Sequence, residues 1–152
     1  VDEPGFLIGP EAEKQATILY GTEAVLSVSE TTVPWATVLV RKAFGVAGAA
    51  NINHAKYKYR YAWPSGDWGS LPTSGGIEAA YKTEISKSQN PEEFIKNKQN
   101  KLQEISSPFR SAEKFLIENI IDPRETRFKV CKWVKLSYPL LKTGIATFTY
   151  RP

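Results

Sequence analysis

The chain of 152 residues has no methionine, one cysteine and one histidine. A single thiol, Cys131, excludes an internal disulfide framework and any multi-cysteine metal site, and it fits a reducing compartment. No apolar run approaches the roughly 20 residues that a spanning helix needs, and no basic-then-apolar leader opens the chain. Without methionine there is no initiator before Val1. The expectation is therefore a processed chain or a piece of a longer protein.

What is present is ordinary globular composition: 41% hydrophobic and 24% charged residues, enough for one domain with a real core. The net charge of +4 is mild. It suits a polyanionic ligand such as a nucleotide-bearing coenzyme, and nucleic acid nearly as well.

Val40-Arg41-Lys42-Ala43-Phe44-Gly45-Val46-Ala47-Gly48-Ala49-Ala50 is the most informative stretch. β-formers from Ala36 to Val40 run into a basic pair and then into small residues. Bare backbone N–H groups at the end of a rigid element are how proteins stabilise negative charge developing on oxygen. The small side chains let a ligand approach the backbone. A close-packed β-to-α turn explains the same residues without any chemistry.

Around this stretch the spacing predicts layered α and β elements. A helix is expected from Pro10 to about Thr31, with Ala12, Ala16 and Tyr20 on one face and Ile18, Val25 and Leu26 broadening the apolar stripe. Gly21 within it implies close packing. Strands are expected at Ala36–Val40 and across Tyr57–Trp63, with a short helix from Ala47 to Asn53 between them. Tyr57, Tyr59, Tyr61 and Trp63 fall on one strand face, and Lys58 and Arg60 form a basic outer face. Further helices are expected at Ile77–Lys87, Pro91–Ile105, Ser111–Phe115 and Pro123–Tyr138. Asn90-Pro91-Glu92-Glu93 and Asp122-Pro123-Arg124-Glu125 carry the capping signals of two of them. Leu116–Ile121 reads as a brief apolar segment and Thr143–Pro152 as a loose tail or edge strand. The sequence shows no internal repeat, and no linker divides residues 1–152.

His54 reads as structural or surface, Cys131 as a small core residue among Val130, Trp133 and Val134, and the lysines from Lys96 to Lys101 as a solvated helix face. The Tyr-Lys-Tyr-Arg-Tyr strand has the composition of a base-stacking surface, but sheet packing accounts for it as well.

Several motifs together resemble the carboxyltransferase component of biotin-dependent acyl-CoA carboxylases, of the propionyl-CoA carboxylase β-chain type. They are Asp2-Glu3-Pro4-Gly5-Phe6, Tyr20-Gly21, Val33-Pro34 followed by Arg41-Lys42-Ala43-Phe44-Gly45, Tyr61-Ala62-Trp63-Pro64, and Ile121-Asp122-Pro123-Arg124-Glu125-Thr126-Arg127. The resemblance implies an α/β crotonase-like fold of repeated ββα units. It also implies that residues 1–152 are the C-terminal part of the second of two such domains.

The activity so implied is carboxyl transfer from carboxybiotin to the α-carbon of an acyl-CoA. Backbone N–H groups of Gly45, Val46 and Ala47 would form the oxyanion hole for biotin, and Phe44, Gly48 and Ala49 would face the acyl substrate. Biotin would be carried on another chain or domain, since no lysine here lies between methionines. A coenzyme A thioester would be the substrate, with no metal in this chain. Expected partners are further copies of the same subunit, a biotin carboxyl carrier and a biotin carboxylase subunit, with neither nucleic acid nor membrane. The compartment would be bacterial cytoplasm or mitochondrial matrix. By the same resemblance the chain alone would be inactive; a non-catalytic assembly subunit is the alternative, and a nucleic-acid-binding module a weaker one. Departures from the family pattern are Val46 for a frequent glycine, Glu3 for a common valine, and Ala16, Leu19 and Glu23 for a glycine and two basic residues. Val46 would be strained if its position required positive φ.

Overall fold

The computed structural model describes residues 1–51, 57–70 and 75–141. The expected placements of His54 and Thr143–Pro152 lie outside them; the short helix expected to reach Asn53 ends within them, at Ala49.

Two short parallel sheets are built from alternating strands. β1 (Trp35–Leu39), β3 (Lys58–Ala62) and β5 (Asn119–Ile120) form one sheet in the order β1-β3-β5. β2 (Lys42–Phe44) and β4 (Asp67–Gly69) form the other, and a bridge from Glu3 to Ala43 lies on the free side of β2. Each of the first two strands of the large sheet turns sharply into its partner in the small one. The repeat is thus one of topology, and the helical segments that follow the two units differ too much for it to show in the sequence. The core lies between the sheets: Leu39, Ala62 and Ile117 pack with partly buried Val1, Ala43, Trp68, Ala112 and Ile120. Burying a side chain such as Leu39, 2% exposed, stabilises by about 1.5–3 kcal/mol.

The single helix expected from Pro10 is two, α1 (Pro10–Lys14) and α2 (Thr17–Glu30). The break is at Ala16, which takes left-handed φ of 57°. It resets the helical phase, so the covered stripe of α2 runs through Thr17, Gly21, Val25 and Val28, while Tyr20 is 64% exposed. Gly21 behaves as its composition implied: a Cβ there would lie 2.6 Å from the Phe6 ring. Two of the sequence motifs are therefore one contact.

The expected 77–87 helix also divides, at Tyr81, into α4 (Gly76–Ala80) and α5 (Lys82–Lys87). α6 (Pro91–Ser106) starts where its cap is, with Asn90 accepting from the Glu93 N–H. Ile105 does not join the covered face of α6; it is 51% exposed. Lys98 leaves the solvated face and lies 4.3 Å from the centre of the Tyr81 ring.

α7 (Pro108–Glu113) begins at a proline and ends in a double return: Phe115 N–H to Ala112 O and Leu116 N–H to Ser111 O. This closure needs a left-handed residue and usually takes glycine; here Phe115 supplies it at φ 56°. Asp122 caps a 3-10 turn at Pro123–Glu125, which leads into α8 (Thr126–Ser137). The covered side of α8 is Thr126, Val130, Trp133 and Ser137. Cys131 falls on the other side and is exposed, so it is not a core residue.

Candidate active site

The small-residue stretch is not a loop. β2 ends at Phe44, 2% exposed, and α3 (Gly45–Ala49) begins at once, two residues before the expected start. Phe44 is extended at the N-cap position and no side chain caps the helix. Gly45 turns the chain with φ 61°. The only non-glycine residues at positive φ among those described are Ala16 and Phe115. Val46 therefore keeps an ordinary φ and is unstrained; glycine is needed one residue earlier. The N–H groups of Gly45, Val46 and Ala47 form the first turn of α3, where helix geometry supplies no intrahelical acceptor.

The helix lies very close to the strand before it. A Cβ on Gly48 would sit 2.4 Å from the carbonyl carbon of Ala43. The lack of a side chain at Gly48 thus serves backbone packing, as well as leaving room for a ligand. Asn51 fastens the far end. Its Nδ2 donates to Glu3 Oε2 at 2.7 Å and to Ala47 O at 3.1 Å, and its carbonyl accepts from Trp35 Nε1 at 3.0 Å and from Thr37 Oγ1. The glutamate at position 3 has a structural use here, as an acceptor for Asn51.

In the basic pair before the turn, the Arg41 side chain and the Lys42 backbone are already engaged. Arg41 grips Asp2 through Nε and Nη2, the latter at 2.8 Å, and the Lys42 N–H donates to the same carboxylate at 3.1 Å. The Arg41 hydrogen bonds and then the Lys42 amide hold the Asp2 carboxyl below the usual carboxylate range. Residues 2 and 3 thus run beside β2 and brace the turn into α3.

Gly45, Gly48 and Ala49 open on a cavity of about 350 Å³, whose other walls include Thr37, Asn51, Arg60 and Trp68. Of the remaining expected site residues, Phe44 and Ala47 are buried but do not line this cavity, Phe44 bordering a neighbouring one, and Val46 is 63% exposed outside the cavity walls. The Val46 side chain therefore plays no part inside, whatever its amide does.

Arg60 is the wall residue that sequence reasoning misplaced. Alternation does put it opposite the tyrosines, but its face is not outer. It pairs in register with buried Thr37 and looks toward α3. A parallel sheet is covered on both faces, and that rule is the signal that would have placed Arg60 inside. Its guanidinium lies 5.6 Å from the centre of the Trp68 ring, and the Trp68 indole N–H donates to Ser111 Oγ at 2.6 Å. Burial lowers the Arg60 pKa, and the Glu118 carboxylate partly offsets this.

The tyrosines occupy the opposite face. Tyr57 and Tyr59 have ring centres 5.8 Å apart, and Tyr59 and Tyr61 5.6 Å. Tyr61 is buried, and Trp133 and Leu136 of α8 line the same hollow. The rings pack against one another along the strand, and Tyr59 and Tyr61 form one wall of that hollow, of about 550 Å³. Among the described residues no group of three His, Cys, Asp or Glu is placed to hold a metal, and no helix is long and apolar enough to cross a membrane.

Comparison with known proteins points one way. Residues 1–143 match the carboxyl transferase domain family. The propionyl-CoA carboxylase beta chain of Cereibacter sphaeroides is 32% identical over 135 residues, which are 87% of this chain and 26% of that one. The mitochondrial propionyl-CoA carboxylase beta chain of Homo sapiens is 31% identical over 134 residues, 86% of this chain and 23% of its own length. The crystal structure of a transcarboxylase 12S hexamer with methylmalonyl-coenzyme A and methylmalonic acid bound superposes with a TM-score of 0.81 at 28% identity. It covers 100% of this chain and 29% of the larger one. The chain thus spans about a quarter of the length of the curated relatives it matches. The fold is the crotonase-like α/β fold of these carboxyltransferases.

Proposed function

The chain belongs to the carboxyl transferase domain family, and from that premise we propose that it takes part in carboxyl transfer from carboxybiotin to the α-carbon of an acyl-CoA. Residues 1–152 would be the C-terminal part of the second carboxyltransferase domain, and inactive alone. Biotin, carried on another chain or domain, would supply the carboxyl group and the base for the α-proton.

The amides of Gly45, Val46 and Ala47 would donate to its ureido oxygen as negative charge gathers there. Gly48 and Ala49 would leave room for the acyl group, with Phe44 holding the turn from below. The residues present fit this role: the first turn of α3 has no side-chain cap, and its glycines open on the cavity. No side chain is needed as acid or base. Partners would be copies of the same subunit, a biotin carboxyl carrier and a biotin carboxylase subunit.

The observation that carries the reading is the positive φ at Gly45, which turns the chain so that α3 starts, uncapped, against the end of β2. The test is the full-length protein with its biotin-bearing partner, assayed for acyl-CoA-dependent transfer. Val46→Pro deletes one amide donor, and proline is tolerated in a first helical turn. Loss of one oxyanion donor should lower kcat by about 10²–10³ while the protein stays folded. An unchanged kcat would remove Val46 from the hole. Subunit assembly with no turnover by the wild type would favour the assembly-subunit reading.

A further inference from the structure

We propose that Arg60 binds the carboxylate of the carboxylated acyl-CoA, and so favours the thioester that bears an α-carboxylate over the one that lacks it. The inference rests on the carboxyl-transfer reading above and deepens it.

Arg60 lines the cavity with Gly45, Gly48 and Ala49. A half-buried guanidinium is costly unless its charge is matched. Among the described residues the ion pairs are Lys14–Glu11, Arg41–Asp2 and Arg124–Asp122, and Arg60 is in none of them. Glu118, whose charge partly offsets the burial of Arg60, uses its carboxylate to accept from the Arg60 backbone N–H, and it lines the hollow on the tyrosine side of the sheet. The head group itself has one long contact, Nη1 to Leu116 O at 3.5 Å.

Its plane has support even so. The Trp68 face attracts the cation, and the Ser111 hydroxyl fixes that indole. The result is a positioned donor fork, charged at any physiological pH, with donors to spare in a cavity walled by small residues. A planar fork matches a carboxylate through two parallel hydrogen bonds. Beside the proposed biotin-side hole, the group that gains this shape and charge is the carboxyl being transferred. The phosphates of coenzyme A are the competing anion, and they are common to both thioesters.

The experiment compares two ligands on the full-length protein: a thioester of coenzyme A with an α-carboxylate, methylmalonyl-CoA, and the same thioester without it, propionyl-CoA. Dissociation constants are measured for the wild type, Arg60→Gln and Arg60→Lys, with circular dichroism to establish folding. Arg60→Gln should weaken methylmalonyl-CoA binding about tenfold to a hundredfold, the range for a charged hydrogen bond, and leave propionyl-CoA within twofold. Arg60→Lys, which keeps the charge but loses the fork, should fall between. Equal weakening of both thioesters would assign Arg60 to phosphate binding or to packing, and no change in either would free it of a binding role. Both results overturn the proposal while sparing the carboxyl-transfer reading. A wild-type protein that binds neither thioester ends that reading and the proposal together.

Discussion

On one face of β3 stand Tyr59 and Tyr61, and on the other stands Arg60. Both faces come from a single alternating run of five residues, Lys58–Ala62, and both are covered. On the tyrosine face the rings stack along the strand and, with Trp133 and Leu136 of α8, wall a hollow of about 550 Å³. The arginine face borders open space walled by glycine, alanine and indole. The first hollow is lined by large aromatic and aliphatic side chains with lysines at its edge, the second mainly by small residues around one guanidinium. Alternation of residue type therefore reports which side chains share a face, but the depth of each face depends on what the rest of the chain lays over it.

The comparison can be broken from either side. Tyr61→Ala should give the largest effect, a loss of about 3–5 kcal/mol in urea unfolding, because the ring is 5% exposed at the centre of the sheet. If Tyr61→Ala costs no more than Arg60→Gln in the same assay, the two faces do not differ as described.

Gly48→Ala attacks the cavity side. Its Cβ would meet the carbonyl carbon of Ala43 at 2.4 Å, and backbone gives way less readily than a side chain. A loss of about 1–3 kcal/mol is expected, with transfer activity reduced in the molecules that remain folded. Activity of the folded fraction equal to wild type would mean that the spacing of α3 from β2 does not set the site.

Phe115→Gly probes the rim of the tyrosine side with opposite sign. The ring is 92% exposed and the backbone left-handed. Relief of about 1–2 kcal/mol of left-handed strain outweighs about 0.5–1 kcal/mol of added chain entropy, so the variant should melt slightly higher. A lower melting temperature would show that the ring makes a stabilising contact in the whole protein.

The smallest effect is expected from pH. The folded Asp2 pKa is depressed, so its contribution is present above the ordinary carboxylate range and fades as pH falls through the folded value. The acid limb of the stability curve, below about pH 4, should be flatter in Asp2→Asn. High salt should shrink the difference, because the pair with Arg41 is exposed. Identical acid limbs would show that the pair contributes nothing measurable.

Much of this was legible in the sequence. The caps at Asn90 and Asp122, the β1 and β3 strands and the closeness implied by Gly21 all depend on neighbours a few residues away or on one residue's shape. Three kinds of feature were not. β2 and β4 have three residues each, too few for a period to show. The breaks at Ala16 and Tyr81 come from single backbone angles that no residue type announces; alanine at φ 57° is the opposite of a signal. Arg60 needed knowledge of which elements cover the sheet. Within the small-residue stretch, composition pointed to the right residues but not to a helix, because five residues at the end of a strand owe their shape to contact with Ala43 and Asn51.

The indole N–H groups of Trp35, Trp63 and Trp68 are tied respectively to the Asn51 carbonyl, Thr126 and Ser111. Of these three, only Trp68 belongs to the cavity wall beside Gly45 and Gly48, with a cation held against its ring. Indole emission shifts with the field and polarity around the ring. An anion drawn to Arg60 would change both at once, so the cavity carries its own optical reporter, and occupancy could be followed by fluorescence without a label.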